Sequence, residues 1–176
     1  MYNKIAIIGA PGTGKTTLAN KLSKIYNIEA TYIDGIHHLK NWVQRDKKER
    51  DEIILNIVKK EKWIIDGTYK STLRERLERA DLIIWLDFST FAQVKGVITR
   101  YLKNKGKEKP EIPGCKEKLD KEFLFYVFNY NKNKRRYIID NLKNINKKKL
   151  LIFKNRKQLN KWLANIEYFM SNIDYS

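Results

Sequence analysis

With one cysteine, Cys115, among 176 residues, the chain can form no intramolecular disulfide and no cysteine-based metal cluster. A reducing compartment suits it. Long apolar runs are missing too, none approaching the roughly 20 residues that a bilayer-spanning helix needs. The N-terminus lacks the basic and apolar regions of a signal peptide, because Lys4 stands directly ahead of the short run Ile5 to Ile8. The expectation is a soluble, cytoplasmic protein with no membrane partner. The two histidines, His37 and His38, are adjacent and have no third ligand at a recognisable spacing, which argues against a metal site there. Helix-turn-helix, zinc-finger and OB-like signatures are absent. So are internal repeats and linkers rich in Pro, Gly or Ser, and residues 1–176 are expected to form one domain.

Positive charge is abundant. Lys and Arg total 37 against 20 acidic residues, a formal net charge of +17, which favours association with polyanions. Three sources compete: a cleft for nucleotide phosphates, a nucleic-acid surface, and a general bias toward Lys, Asn and Ile that spreads solvated lysines everywhere.

The most informative stretch follows the apolar run at the N-terminus. Gly9, Ala10, Pro11, Gly12, Thr13, Gly14, Lys15 and Thr16 have the spacing of a Walker A phosphate loop, with Thr17 continuing into a helix. Glycines let successive backbone N–H groups curl around phosphate oxygens, and the helix N-terminus behind them adds a positive dipole end. Lys15 is placed to reach the β- and γ-phosphates of ATP, and the Thr16 hydroxyl to ligate Mg²⁺.

Further on, Leu18, Leu22 and Ile25 predict a helix to Tyr26, with Asn27 as its stop. A second strand is expected over Ala30 to Ile33. Asp34 and Gly35 would end it at the sheet edge where ligands gather, which makes Asp34 either a site residue or the start of an Asx turn. Trp42, in the following loop, can stack on a base or cover the sheet. Asp46 and Glu49 have capping-box spacing ahead of a helix carrying Ile53, Ile54, Ile57 and Val58 through Lys60. Trp63 to Ile65 predict a strand that ends on Asp66, the natural partner of Thr16 for Mg²⁺. Ser71 is expected to cap a short basic helix with Arg74, Arg76 and Arg79, before a strand over Leu82 to Leu86. Ser89 starts a helix with Phe91, Val94, Ile98 and Leu102 on one face, and Arg100 turned to solvent or to the cleft. Residues 103–118 read as a solvated loop or, by position, a basic lid that closes on phosphates and excludes water. A helical region organised by Phe123, Leu124, Val127, Tyr130, Ile138 and Leu142 follows. A fifth strand, Leu150 to Phe153, and a closing helix through Leu159, Trp162, Leu163, Ile166 and Phe169 complete the chain.

Assembled, these residues resemble the adenylate-kinase-like P-loop kinases, and within them the DNA topology modulation (FlaR-related) proteins. The marks are the loop from Gly9 to Thr16, Asp34 with Trp42, the run Trp63 to Tyr69, Arg76 ahead of Ala80 and Asp81, Arg100, Gly114 with Cys115, and Leu119 to Leu124, extended by Tyr130 and Arg135. The resemblance implies an α/β fold, a three-layer P-loop NTPase with a five-stranded parallel sheet of order 2-3-1-4-5 and a lid at about 103–118. It also implies an ATP site with Arg76, Arg100 and Arg135 as phosphate clamps. The family usually has Asn at the position of Thr68, and arginines at those of Thr90, Gly96 and several lid lysines. The function expected is Mg²⁺- and ATP-dependent phosphate transfer, using Lys15, Asp34, Arg76, Arg100 and Arg135, to a nucleotide or other small acceptor. The rival expectations are an ATP-switched regulator that binds DNA through its basic surface, and an ATP binder that transfers nothing.

Overall fold

A computed structural model describes residues 2–173. Its centre is β1 (Lys4–Gly9), flanked on both sides by parallel strands: β3 (Trp63–Asp66), which sets Ile5 beside Ile64, and β4 (Leu82–Leu86), which sets Ile5 beside Leu82. The sheet is completed by β2 (Ala30–Tyr32) outside β3 and β7 (Leu150–Phe153) outside β4, in the order β2-β3-β1-β4-β7 with every pairing parallel. The expected order holds, with β7 as the fifth strand of this sheet. β1, β3 and β4 are near-continuous apolar runs because both of their faces are covered. Ala6, Ile8, Ile65 and Ile83 pack with α3 (Lys47–Val58), α4 (Leu73–Arg79) and α6 (Lys121–Leu142). Ile5, Ile7, Ile64 and Ile84 pack with Leu18 and Leu22 of α1 (Lys15–Tyr26) and with Leu159 and Leu163 of α7 (Arg156–Ile173). Helix-strand alternation in a parallel sheet brings the C-terminal strand ends to one rim.

Local chemistry explains most boundaries. Asn27 ends α1 in the left-handed region at φ 52°, where Asn is well tolerated. Ser89 caps α5 (Thr90–Asn104) by accepting from the Ala92 N–H, and Asp120 caps α6 by accepting from the Phe123 N–H. Asp46 caps α3 through the N–H groups of Lys48 and Glu49, but the box stays half-made because the Glu49 carboxylate turns to Arg45.

Four expectations are corrected. β2 ends at Tyr32, and Ile33 to His37 wind into a short helix, α2, so Asp34 sits in its first turn and forms no Asx turn. Ser71 caps nothing: Thr72 holds the N-cap position of α4, and the Ser71 hydroxyl donates to Asp51 while accepting from Arg50. On α5 the apolar stripe is the outward face, with Phe91 78% and Leu102 71% exposed, while Gln93 and Val97 are buried. Residues 103–118 are no solvated loop. They hold an antiparallel hairpin, β5 (Glu108–Lys109) and β6 (Ile112–Lys116), with Ile112, Cys115 and Glu117 buried. Among the described residues no helix is long and apolar enough to cross a membrane.

Candidate active site

The rim formed by the ends of β1 and β3 opens into a cavity of about 1900 Å³. Its floor is the loop between β1 and α1. Gly14 takes φ 91° immediately before α1, and Gly12 takes φ 76° where a Cβ would stand 2.2 Å from the Gln93 carbonyl oxygen, so neither position tolerates a side chain. The loop is knitted internally: the buried Thr13 hydroxyl donates to the Ala10 carbonyl at 2.9 Å, and Lys15 Nζ donates to the same oxygen at 3.1 Å. Ala10 and Thr13 therefore build the loop from beneath, while Gly9, Pro11, Gly12, Gly14, Lys15, Thr16 and Thr17 line the cavity.

The loop is braced from outside. Thr68 sits just past β3, and its hydroxyl accepts from the Gly9 N–H and donates to the Gly9 carbonyl, both at 2.9 Å. One hydroxyl thus meets both polar groups of the residue where strand becomes loop. The Tyr130 hydroxyl reaches the same carbonyl from α6 at 3.4 Å. At the far side Arg156 Nη2 approaches the Gly12 and Thr13 carbonyls at 3.5 Å.

Thr16 and Asp66 meet as the sequence suggests: the hydroxyl donates to Asp66 Oδ2 at 2.7 Å. The other carboxylate oxygen, Oδ1, is buried without a hydrogen-bond partner. Burial pushes the Asp66 pKa up to about 6, against the opposing pull of Lys15 and the Thr16 hydroxyl. An orphaned oxygen beside a hydroxyl at the mouth of a phosphate loop suits a hard, oxygen-seeking cation, so the donor set fits Mg²⁺.

The three arginines expected to clamp phosphate part company. Arg100 lines the cavity, where Glu117 accepts from its Nε at 3.1 Å and Nη2 at 3.0 Å. The second oxygen of Glu117 takes Lys109 at 3.3 Å, which ties the base of the hairpin to α5. Arg76 is buried beneath the rim, donating to the carbonyls of Gly67 at 2.6 Å, Tyr69 at 2.8 Å and Thr72 at 3.2 Å. Burial lowers its pKa to about 10, and its role here is to hold the β3 exit loop, away from the cleft. Arg135 grips Asp87 with two bonds of 2.9 Å beside Lys154, and both cations lie 5.7 Å from the Trp85 ring centre, fastening α6 to the end of β4 outside the cavity lining. Neither position is one from which the side chain meets a phosphate without first breaking these bonds.

Asp34 lines the cavity from α2 and accepts a hydrogen bond of 3.0 Å from the Tyr69 hydroxyl. Trp42 is held by the hairpin: its N–H faces the Cys115 sulfur at 3.2 Å, and its indole donates to the Lys116 carbonyl at 3.2 Å. Sequence reasoning missed Arg50, Glu117 and Arg156. Arg156 had a usable signal, a basic residue just beyond a strand's C-terminal end. Glu117 had none, because its partners on α5 and β5 are joined only by the hairpin.

Comparison with known proteins supports this frame. Residues 5–87 match the family described as the ATPase family associated with various cellular activities (AAA). No curated protein matches the chain. Among solved structures, shikimate kinase from Bacteroides thetaiotaomicron is similar with a TM-score of 0.57 at 16% identity, over 97% of this chain and 99% of that one. Shikimate kinase from Acinetobacter baumannii, in complex with shikimate, gives 0.58 at 17%, over 97% and 94%. A gluconokinase from Sinorhizobium meliloti 1021 gives 0.50 at 11%, over 98% and 96%. The fold is that of the P-loop kinases.

Proposed function

We propose that the chain is a Mg²⁺- and ATP-dependent phosphotransferase acting on a small acceptor. The observation that carries this reading is that Lys15, Thr16, Asp34 and Arg100 line one cavity, with Asp66 bonded to Thr16 at its floor. The loop amides and Lys15 hold the β- and γ-phosphates, for which Lys15 exchanges the Ala10 carbonyl. Thr16 and Asp66 would hold Mg²⁺, which supplies charge neutralisation between the phosphates. Arg100, anchored by Glu117, offers its remaining N–H groups to charge developing on the transferred group. Asp34 orients an acceptor hydroxyl and takes its proton. The narrower resemblance to the topology modulation proteins rests on the sequence marks alone and leaves this chemistry unchanged. Lys15→Ala tests the reading, since the hydrogen bond that Lys15 makes among the described residues goes to its own loop. ATP turnover with an acceptor should fall at least 100-fold with the circular dichroism spectrum intact. A Lys15→Ala protein of undiminished activity would sink it.

A further inference from the structure

Part of the cleft wall is a series of aromatic rings set edge to face. The His37 and His38 centroids are 4.5 Å apart, His38 and Trp42 5.2 Å, and His37 and Tyr69 5.1 Å, and all of these rings line the cavity. Burial lowers the pKa of both histidines, leaving the rings uncharged at neutral pH. The Nδ1 of His38 is buried without a partner. The series ends on Asp34, which lies near enough to Asp66 for its charge to help raise the Asp66 pKa.

Cations line the cleft throughout. On the aromatic side Arg50 is paired with Asp51 at 2.7 Å and Lys118 with Asp120 at 3.8 Å, and Lys109 shares Glu117 with Arg100, while Lys47 and Lys70, the neighbour of Tyr69, form no ion pair among the described residues. Lys95, beside the Gly96 that touches the loop, and Arg156, which approaches the loop carbonyls, form no ion pair among the described residues either. Unmet positive charge therefore lies on both sides of the cleft, and Asp34 is the carboxylate that meets the aromatic series.

We propose that the acceptor is a planar heterocycle carrying a hydroxyl group, of the nucleoside class. The proposal rests on the phosphotransfer reading above. Every base has a π-face that stacks on aromatic side chains. A carboxylate at the reacting end repels an incoming phosphate but accepts a hydroxyl's hydrogen. In the step itself the hydroxyl oxygen bonds to the γ-phosphorus, and the γ-phosphorus bond to the bridging oxygen breaks with its electron pair left on ADP. The hydroxyl proton passes to Asp34.

The test titrates adenosine, guanosine, cytidine and thymidine into the full chain loaded with Mg²⁺ and a non-hydrolysable ATP analogue, beside assays of phosphorylated product with MgATP. Nucleoside monophosphates and shikimate serve as the competing acceptors. At least one nucleoside should bind and yield its monophosphate. Trp42→Ala and, separately, His38→Ala should each weaken nucleoside binding about tenfold and leave the analogue's affinity unchanged. His38→Ala keeps the bonds from Trp42 to the hairpin, so a folding defect in Trp42→Ala does not decide the matter. Preference for a monophosphate or for shikimate, or nucleoside binding indifferent to both substitutions, overturns the proposal. Nucleosides that bind without being phosphorylated uphold the acceptor class and overturn the phosphotransfer reading instead.

Discussion

Gly96 of α5 stands so close to Gly12 of the phosphate loop that a Cβ on Gly96 would lie 2.0 Å from the Gly12 carbonyl oxygen. Helix backbone thus forms one wall of the loop. It also explains why α5 shows its apolar stripe to solvent: the face bearing Gly96 and Gln93 is the one that can come this near. Gly96→Ala forces the helix or the loop to move, at a cost of about 1–3 kcal/mol. Thermal denaturation should show a melting temperature lower by several degrees. Calorimetry should show MgATP affinity weakened at least tenfold; unchanged affinity would mean that the loop's shape does not depend on this contact.

Asp66 has a pH-dependent cost. Its folded pKa of about 6 lies above the ordinary 3.8, so the folded state binds more protons between those values. The folded state is favoured by the protonated acid, and stability is lost as pH rises from about 4 through 6. Above that range the ionised group costs about 3 kcal/mol in the absence of Mg²⁺. Asp66→Asn, which keeps an acceptor for Thr16, should be more stable than the parent to urea at pH 7.5 and show a smaller difference at pH 5. It should also lose the Mg²⁺-dependent part of ATP binding. A variant no more stable at pH 7.5 would contradict the burial argument.

The Tyr69 hydroxyl fixes Asp34, and its ring is set by His37 on one side and the Arg50 guanidinium, 5.0 Å from its centre, on the other. Tyr69→Phe keeps the packing and frees the carboxylate. Turnover should fall about tenfold, the value of one well-placed hydrogen bond to a charged group. MgATP affinity should not change. Steady-state kinetics separates the two, and equal losses in both would point to general damage to the cleft.

Arg76 is the place where a kinetic and a structural role separate most clearly. Arg76→Met leaves the Gly67, Tyr69 and Thr72 carbonyls without their donor in a buried setting, and should cost at least about 3 kcal/mol. The expected result is a large drop in denaturation midpoint, with any folded fraction still binding MgATP. A stable Arg76→Met protein with lost turnover would restore Arg76 to the catalytic set.

The architecture and the phosphate loop were determined by sequence alone, for a local reason. The runs Ile5 to Ile8 and Leu82 to Leu86 can be satisfied only in strands covered on both faces. The Gly9-to-Thr16 pattern encodes its backbone geometry in its own residues. The Thr16–Asp66 pair was readable for the same reason, since each lies at a fixed place just beyond or at the end of a strand in a parallel sheet. Only the tertiary structure decided which arginines face the cleft, because Arg76, Arg100 and Arg135 look alike in sequence. Their directions are set by partners outside their own helices' patterns: for Arg76 the nearby carbonyls past β3, and for the other two the more distant Glu117 of the hairpin and Asp87 at the end of β4. It likewise decided that His37, His38, Trp42 and Tyr69 form one wall. Contacts between residues far apart in the chain are chosen by packing, and no local pattern records them.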